Sequence, residues 1–134
     1  MTVGRLPASF VRNVTGAVPG GSLWLDGLSG LLAACSRRWN LALAGNPFEL
    51  SFSYIVPVLQ DGRTPAVLKL GVPTPEFTSE AQALRSFHGH GAVRLLESDE
   101  SLGALLLAAW WTIEDDGGDW DASISAARVL LSLL

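Results

Sequence analysis

Apolar residues recur at helical spacing over the first third of the chain. Phe10, Val11 and Val14 follow Pro7 at such intervals, which predicts a helix over residues 7–18. Gly20 and the residues after it interrupt the pattern, and a longer helix is predicted over residues 23–39. Its apolar stripe consists of Trp24, Leu25, Leu28, Leu31, Leu32, Cys35 and Trp39. These aromatic and aliphatic side chains are expected to form core.

From Phe48 the pattern has the alternation of a strand. Residues 48–56 alternate between apolar and polar and then become continuously apolar, and residues 60–63 form a turn signal. A second apolar run, residues 66–70, contains Lys69. This region predicts three strands joined as consecutive hairpins in an antiparallel sheet.

A helix is predicted next, over residues 76–88, with Phe77, Ala81, Leu84 and Phe87 as its buried stripe. Two further strands are expected at 92–97 and 103–107, with a hairpin loop at 98–101, and a closing amphipathic helix at 123–134. The predicted fold class is α+β: a five-stranded antiparallel sheet with a packed helix, preceded by two helices and followed by one. We expect a helical segment at residues 1–45, the sheet with its helix at 46–111, and an acidic turn with the last helix at 112–134.

Lys69 is the only lysine of the chain, and its neighbours are apolar. Burying an ammonium group is costly unless a carboxylate or a phosphate compensates its charge. At 100° per residue, Glu80 lies about 60° from the apolar position Phe77 and Glu76 about 100° away, so Glu80 is the carboxylate better placed to face the sheet. Alternatively, Lys69 reaches solvent from an edge strand and Glu80 is an ordinary surface residue.

Composition limits the functional classes. The chain has 134 residues, 49% of them hydrophobic and 16% charged, which is typical of a globular domain. A net charge of −4 argues against nucleic acid or an anionic membrane as partner, and no apolar run is long enough to span a bilayer. We expect a cytoplasmic protein. A single cysteine, Cys35, excludes an intrachain disulfide and is expected to be a core residue, since no histidine near it in sequence could activate it as a nucleophile.

The order of these elements is that of the small lobe of a protein-kinase-like phosphotransferase. The chain resembles the aminoglycoside and hydroxyurea phosphotransferases from residue 6 to about 107. The resemblance rests on Trp24-Leu25, LLAACSRRW at 31–39, PFELSFSY at 47–54, AVLKLG at 66–71, Glu76-Phe77 through Glu80-Ala81, and GAVRLLE at 91–97. It implies an ATP-dependent kinase that confers antibiotic resistance by phosphorylating a hydroxyl group of an aminoglycoside such as streptomycin.

By position, this resemblance assigns roles to individual residues. Lys69 would contact the α- and β-phosphates, and Glu80 would hold Lys69 in place. Val67, on the same face of the strand, would cover the adenine ring. The remaining nucleotide-binding candidates are Ser51 and Ser53 near the phosphates, and Leu107, Ala108 and Trp110 in the hinge (residues 106–110), which contacts adenine through its backbone. Packing on the core is the alternative role for Ser51 and Ser53, because this segment has no GxGxxG pattern.

In the resembled kinases, a large lobe supplies the catalytic aspartate and the groups that hold Mg²⁺. We therefore expect a truncated ATP-binding lobe that binds ATP weakly, is inactive alone, and takes Mg²⁺ only when a large lobe is supplied. The alternative is a non-catalytic interaction module derived from such a lobe, with a second copy of itself as partner. No metal site is assigned: the acidic residues between 114 and 121 lack the spacing of a calcium loop.

Overall fold

The computed structural model describes residues 6–47, 52–87 and 95–108, and their strands form one antiparallel sheet. The strands are β1 (Leu41–Leu43), β2 (Tyr54–Gln60), β3 (Thr64–Leu70), β4 (Leu95–Asp99) and β5 (Ala104–Ala108). Their order in the sheet is β1-β2-β3-β5-β4, so β1 and β4 are the edge strands. Residue Lys69 of β3 lies between Ile55 of β2 and Leu105 of β5. The predicted α+β class, with a five-stranded antiparallel sheet, is confirmed.

Among the described residues, four helices accompany the sheet: α1 (Ala8–Ala17), α2 (Gly21–Asp26), α3 (Leu28–Trp39) and α4 (Pro75–Phe87). The first and last of these match the predicted helices closely. The single helix predicted over 23–39 is wrong, because the chain forms two helices there. At Gly27 the backbone leaves helical dihedral angles (φ −93°, ψ 1°), and its amide closes α2 by donating to the carbonyls of Leu23 and Trp24.

The three N-terminal helices pack on one face of the sheet. Every second side chain of each central strand points to that face, because successive residues of a strand point to opposite faces of the sheet. The cluster comprises Phe10, Val14, Leu28, Leu32, Cys35 and Trp39 from the helices, and Leu41, Tyr54, Val56, Val58, Ala66, Leu68, Leu70, Ala104 and Leu106 from the sheet. The helices are therefore part of the same core as the sheet, and β1 lies within the stretch assigned above to the helical segment.

The C-terminal end of α3 makes side-chain contacts with two parts of the sheet, the end of β4 and the turn between β2 and β3. Arg38 Nη1 lies 2.5 Å from Asp99 Oδ2 at the end of β4. Asn40 Nδ2 donates to Asp61 Oδ1 over 3.0 Å, in the turn between β2 and β3. The predicted turn at 60–63 is confirmed; its residues Asp61 and Gly62 have φ of 56° and 72°, in the left-handed region.

Two predicted strands differ from those observed. The strand predicted to begin at Phe48 is found at Tyr54–Gln60, and the strand before it is β1, which follows α3 after a left-handed residue, Asn40 (φ 53°). β4 continues to Asp99, into the loop predicted at 98–101. The turn starts there because Asp99 Oδ1 accepts hydrogen bonds from Ser101 and from the Leu102 amide. Residues 48–51, 88–94 and 109–134, including the helix predicted at 123–134, lie outside the described residues.

Candidate functional site

The site is built around an ion pair between Lys69 and Glu80. Among the described residues, Lys69 is the buried charged side chain of the core, with 10% of its side chain exposed. Its Nζ donates to Oε1 of Glu80, whose side chain is 16% exposed. A charge-assisted hydrogen bond satisfies both groups where little water reaches them. The predicted pairing is confirmed, and the surface alternatives for both residues are excluded.

Helix α4 brings Glu80 to the sheet. Its first turn is capped by Thr74, whose Oγ1 accepts a hydrogen bond from the Phe77 amide over 3.2 Å. Phe77 and Ala81 are buried, at 5% and 0% exposure. Glu80 lies between them in sequence and faces β3, whereas Glu76 is exposed. This outcome agrees with the helical-wheel comparison of the two carboxylates; the side chains of Leu84 and Phe87 are not among those described.

The structure brings two more of the predicted residues onto the Lys69 face of the sheet. Val67 lies two residues before Lys69 on β3 and pairs with Leu107 of β5, so both point to the same face as Lys69. They are 1% and 0% exposed. Ala108 pairs with Ala66, on the opposite face, so only its backbone is placed for contact with a ligand at the Lys69 face. Ser51 and Trp110 lie outside the described residues, and the nucleotide-binding roles of all these residues stay predictions.

An open cleft of about 630 Å³ lies beside the ion pair, at the end of the sheet where β2 begins and β3 ends. Glu80 and Ser53 both line it, together with Phe52, Gly71, Val72 and the first turns of α4. Sequence reasoning missed Gly71 and Thr74 as parts of this site. The available signal was their position, between the lysine strand and the helix that carries the glutamate.

Within the part of the chain that the structure describes, three ionisable groups away from this site have shifted pKa values. Hydrogen bonds from Ser101 and Arg38 lower the pKa of Asp99. Burial raises the pKa of the Cys35 thiol and of the Tyr54 hydroxyl. A protonated thiol is a poor nucleophile, and this agrees with the expectation that Cys35 is a core residue.

The described segments contain neither a cluster of metal ligands nor a helix that could span a membrane. Within residues 6–47, 52–87 and 95–108, no three His, Cys, Asp or Glu side chains are grouped so that they could hold a metal ion. None of the helices in that part of the chain combines the length and apolar character needed to cross a bilayer.

A five-stranded antiparallel sheet of this order, with a lysine on the third strand held by a carboxylate from the following helix, is the arrangement of a protein-kinase-like N-terminal lobe. Comparison with protein families then identifies the family. Residues 38–130 match the model of the aminoglycoside/hydroxyurea antibiotic resistance kinases, and the chain belongs to this family.

Individual relatives agree with this assignment. The chain is 41% identical over 87 residues to a streptomycin 6-kinase of Streptomyces griseus and to a hydroxyurea phosphotransferase of Kitasatospora aureofaciens, and 65% of the chain is covered in each comparison. It is 33% identical over 120 residues, 85% of the chain, to a streptomycin 6-kinase of Streptomyces glaucescens. The matched regions span 28%, 26% and 38% of the lengths of these three relatives. No solved structure matches the chain.

Proposed function

We propose that this chain is the ATP-binding lobe of an aminoglycoside O-phosphotransferase, with Lys69 as the residue that contacts the α- and β-phosphates and Glu80 as the residue that holds Lys69. The observation that carries the proposal is the buried ion pair. A pair of this kind seldom stabilises a fold more than apolar residues of similar volume, so its presence favours a binding role. Kinases use the same pair to position the phosphates of the nucleotide.

The surroundings of Lys69 fit a nucleoside triphosphate. Ser53 lies in the loop between β1 and β2, at the same end of the sheet as the lysine, where a hydroxyl group would donate to phosphate oxygens. Val67 and Leu107 lie on the same face, further from Ser53, and would provide an apolar surface for the adenine ring once that face, which is closed to solvent, opens. When bound, ATP would supply the phosphoryl group. Lys69 would balance part of the negative charge of the α- and β-phosphates. The protein ligands of Mg²⁺ would come from a second lobe, as they do in other kinases.

The acceptor in this proposal is a hydroxyl group of an aminoglycoside of the streptomycin type. Two of the relatives are streptomycin 6-kinases, and a third is a hydroxyurea phosphotransferase. The matched regions span between 26% and 38% of these relatives, so the groups that receive the hydroxyl proton and bind Mg²⁺ are expected in a second lobe. We expect these 134 residues to bind ATP weakly and to transfer phosphate only together with such a lobe. We expect the protein to act in the cytoplasm.

One observation favours a second candidate, a non-catalytic interaction or dimerisation module. Val67 and Leu107 are closed to solvent, so an adenine ring reaches them only if this face of the sheet opens. A lobe whose adenine surface stays closed would retain the ion pair without binding nucleotide. Its partner would be a second copy of the chain, and a defined dimer in sedimentation or light scattering would support it.

The experiment that tests the proposal is calorimetric titration of the 134-residue chain with Mg-ATP, beside Lys69→Ala and the control Glu97→Ala. Glu97 is an exposed carboxylate on β4 and does not line the cleft beside the ion pair. Binding in the millimolar range or tighter that Lys69→Ala weakens at least tenfold, and Glu97→Ala leaves unchanged, is the expected result. Equal binding by all three proteins, or no binding by any, would refute the proposal, and in the second case the interaction module becomes the leading candidate.

A further inference from the structure

Gly71 lies where three parts of the proposed phosphate site meet. It directly follows β3 and is two residues beyond Lys69. A Cβ atom built on Gly71 would lie 3.1 and 3.2 Å from two ring carbons of Phe77, and 3.3 Å from Ser53 Oγ. Both neighbours therefore pack against the bare Cα of this residue. Phe77 belongs to α4, which carries Glu80, and Ser53 belongs to the loop that precedes β2.

The opposite side of Gly71 is held by the start of β5. The Gly71 amide donates to the carbonyl of Gly103 over 2.9 Å. Gly103 has a φ of 74°, and a Cβ built on it would overlap the carbonyl oxygen of Gly71 and lie 3.3 Å from the Pro73 nitrogen. The backbones of Gly71 and Gly103 are in contact here, so Gly71 cannot shift towards β5. An added Cβ at Gly71 would instead require the Phe77 ring and the Ser53 hydroxyl to give way by a few tenths of an ångström.

A shift of the Phe77 ring would also move Glu80, because both residues belong to α4. Phe77 is 5% exposed and lies in the first turn of α4, three residues before Glu80. Residues three apart are neighbours on a helix surface, so a shift of the helix at Phe77 also shifts Glu80. The hydrogen bond between Lys69 and Glu80 depends on close approach, because a buried ion pair offsets its desolvation only in good geometry.

We propose that Gly71 is a positioning residue for the Lys69–Glu80 pair. Its missing side chain lets the Phe77 ring, and with it α4, approach β3 closely enough for Glu80 to reach Lys69, and it admits Ser53 to the same point. The consequence for nucleotide binding rests on the proposed function; the consequence for the ion pair does not.

The test is a double-mutant cycle of Lys69→Met and Glu80→Gln, measured by urea unfolding in the wild-type and Gly71→Ala backgrounds. We expect Gly71→Ala to reduce the coupling between the pair, expressed as a ratio of unfolding constants, by about tenfold, within the range found for residues in contact. Gly30→Ala is the matched control: a Cβ there meets nothing within 4 Å, and the coupling should not change. Unchanged coupling in Gly71→Ala, or an equal loss in Gly30→Ala, overturns the inference.

A compensating variant separates positioning from general damage. Phe77→Leu removes the ring carbons that the new Cβ would meet, so Gly71→Ala with Phe77→Leu should recover coupling that Gly71→Ala alone loses. If Gly71→Ala does not fold, the double variant should fold. A double variant that neither folds nor recovers coupling overturns the inference.

Titration with Mg-ATP distinguishes this inference from the proposed function. We expect Gly71→Ala to weaken binding about as much as Glu80→Gln does, and to add little in a Glu80→Gln background. If the wild-type chain takes up no Mg-ATP while the coupling still falls in Gly71→Ala, the proposed function fails and the positioning role stands. Wild-type affinity in Gly71→Ala, with the coupling reduced, overturns the extension to nucleotide binding.

Discussion

Replacing Glu80 with alanine should destabilise the chain by leaving the Lys69 ammonium group buried and unpaired. Breaking a fully buried pair costs about 3–5 kcal/mol. The Lys69 side chain is 10% exposed and that of Glu80 is 16% exposed, so some water reaches the pair and we expect the lower end, about 3 kcal/mol. For a chain of this size that loss lowers the melting temperature by roughly 10 °C.

A second variant distinguishes the cost of the unpaired charge from the cost of lost packing. Replacing both partners with apolar residues, Lys69→Met with Glu80→Leu, removes the charge as well as its partner. Such replacements are often neutral, so we expect the double variant to lie within about 1 kcal/mol of the wild type. It should also lose Mg-ATP binding, since no cation is left for the phosphates.

The assay is urea unfolding followed by tryptophan fluorescence, with Glu76→Ala as the control. Glu76 is exposed in the first turn of α4, and its replacement should cost about 0.5 kcal/mol through the helix dipole. If the double variant is as unstable as Glu80→Ala, the loss does not come from the buried charge and the reasoning is refuted. A loss in Glu80→Ala no larger than that in Glu76→Ala would refute it as well.

Three further predictions concern residues away from the ion pair. Leu32→Ala should cost about 3 kcal/mol in urea unfolding, because this fully buried residue joins α3 to the sheet; a cost below about 1 kcal/mol would mean that the helices are not integral. Asp99 has a lowered pKa in the folded chain, so its stabilising effect is present above the unfolded pKa and is lost as the pH falls through the folded one. Asp99→Asn should therefore differ from wild type by under about 1 kcal/mol at pH 7, and the difference should disappear once the pH is below the folded pKa. The buried Cys35 thiol, with its raised pKa, should react with a disulfide reagent at pH 8 only as the chain unfolds, and rapid reaction of the folded chain would contradict its burial.

Much of the site followed from two local patterns. A lone lysine in an apolar strand requires a counter-charge, and the helical period selected Glu80 over Glu76 as its source; the ion pair confirms both steps. These inferences succeeded because each depends on only a few neighbouring residues. The helix break at Gly27 and the short strand β1 were missed, since a single glycine within an apolar stripe and three residues of alternation carry little signal.

Sequence alone determined the α+β class, the sheet core and the resemblance to a kinase family, because periodicity, turn residues and motif order are present along the chain. It predicted the ion pair but left a surface position open for both residues, and the structure decided between them. The tertiary structure decided which surfaces meet. It packed α1, α2 and α3 on one face of the sheet and fastened Arg38 to Asp99, 61 residues apart. It also placed Gly71 between Phe77 and Gly103. Contacts of this kind depend on how close two backbones come in space, and no local pattern of residues records that distance.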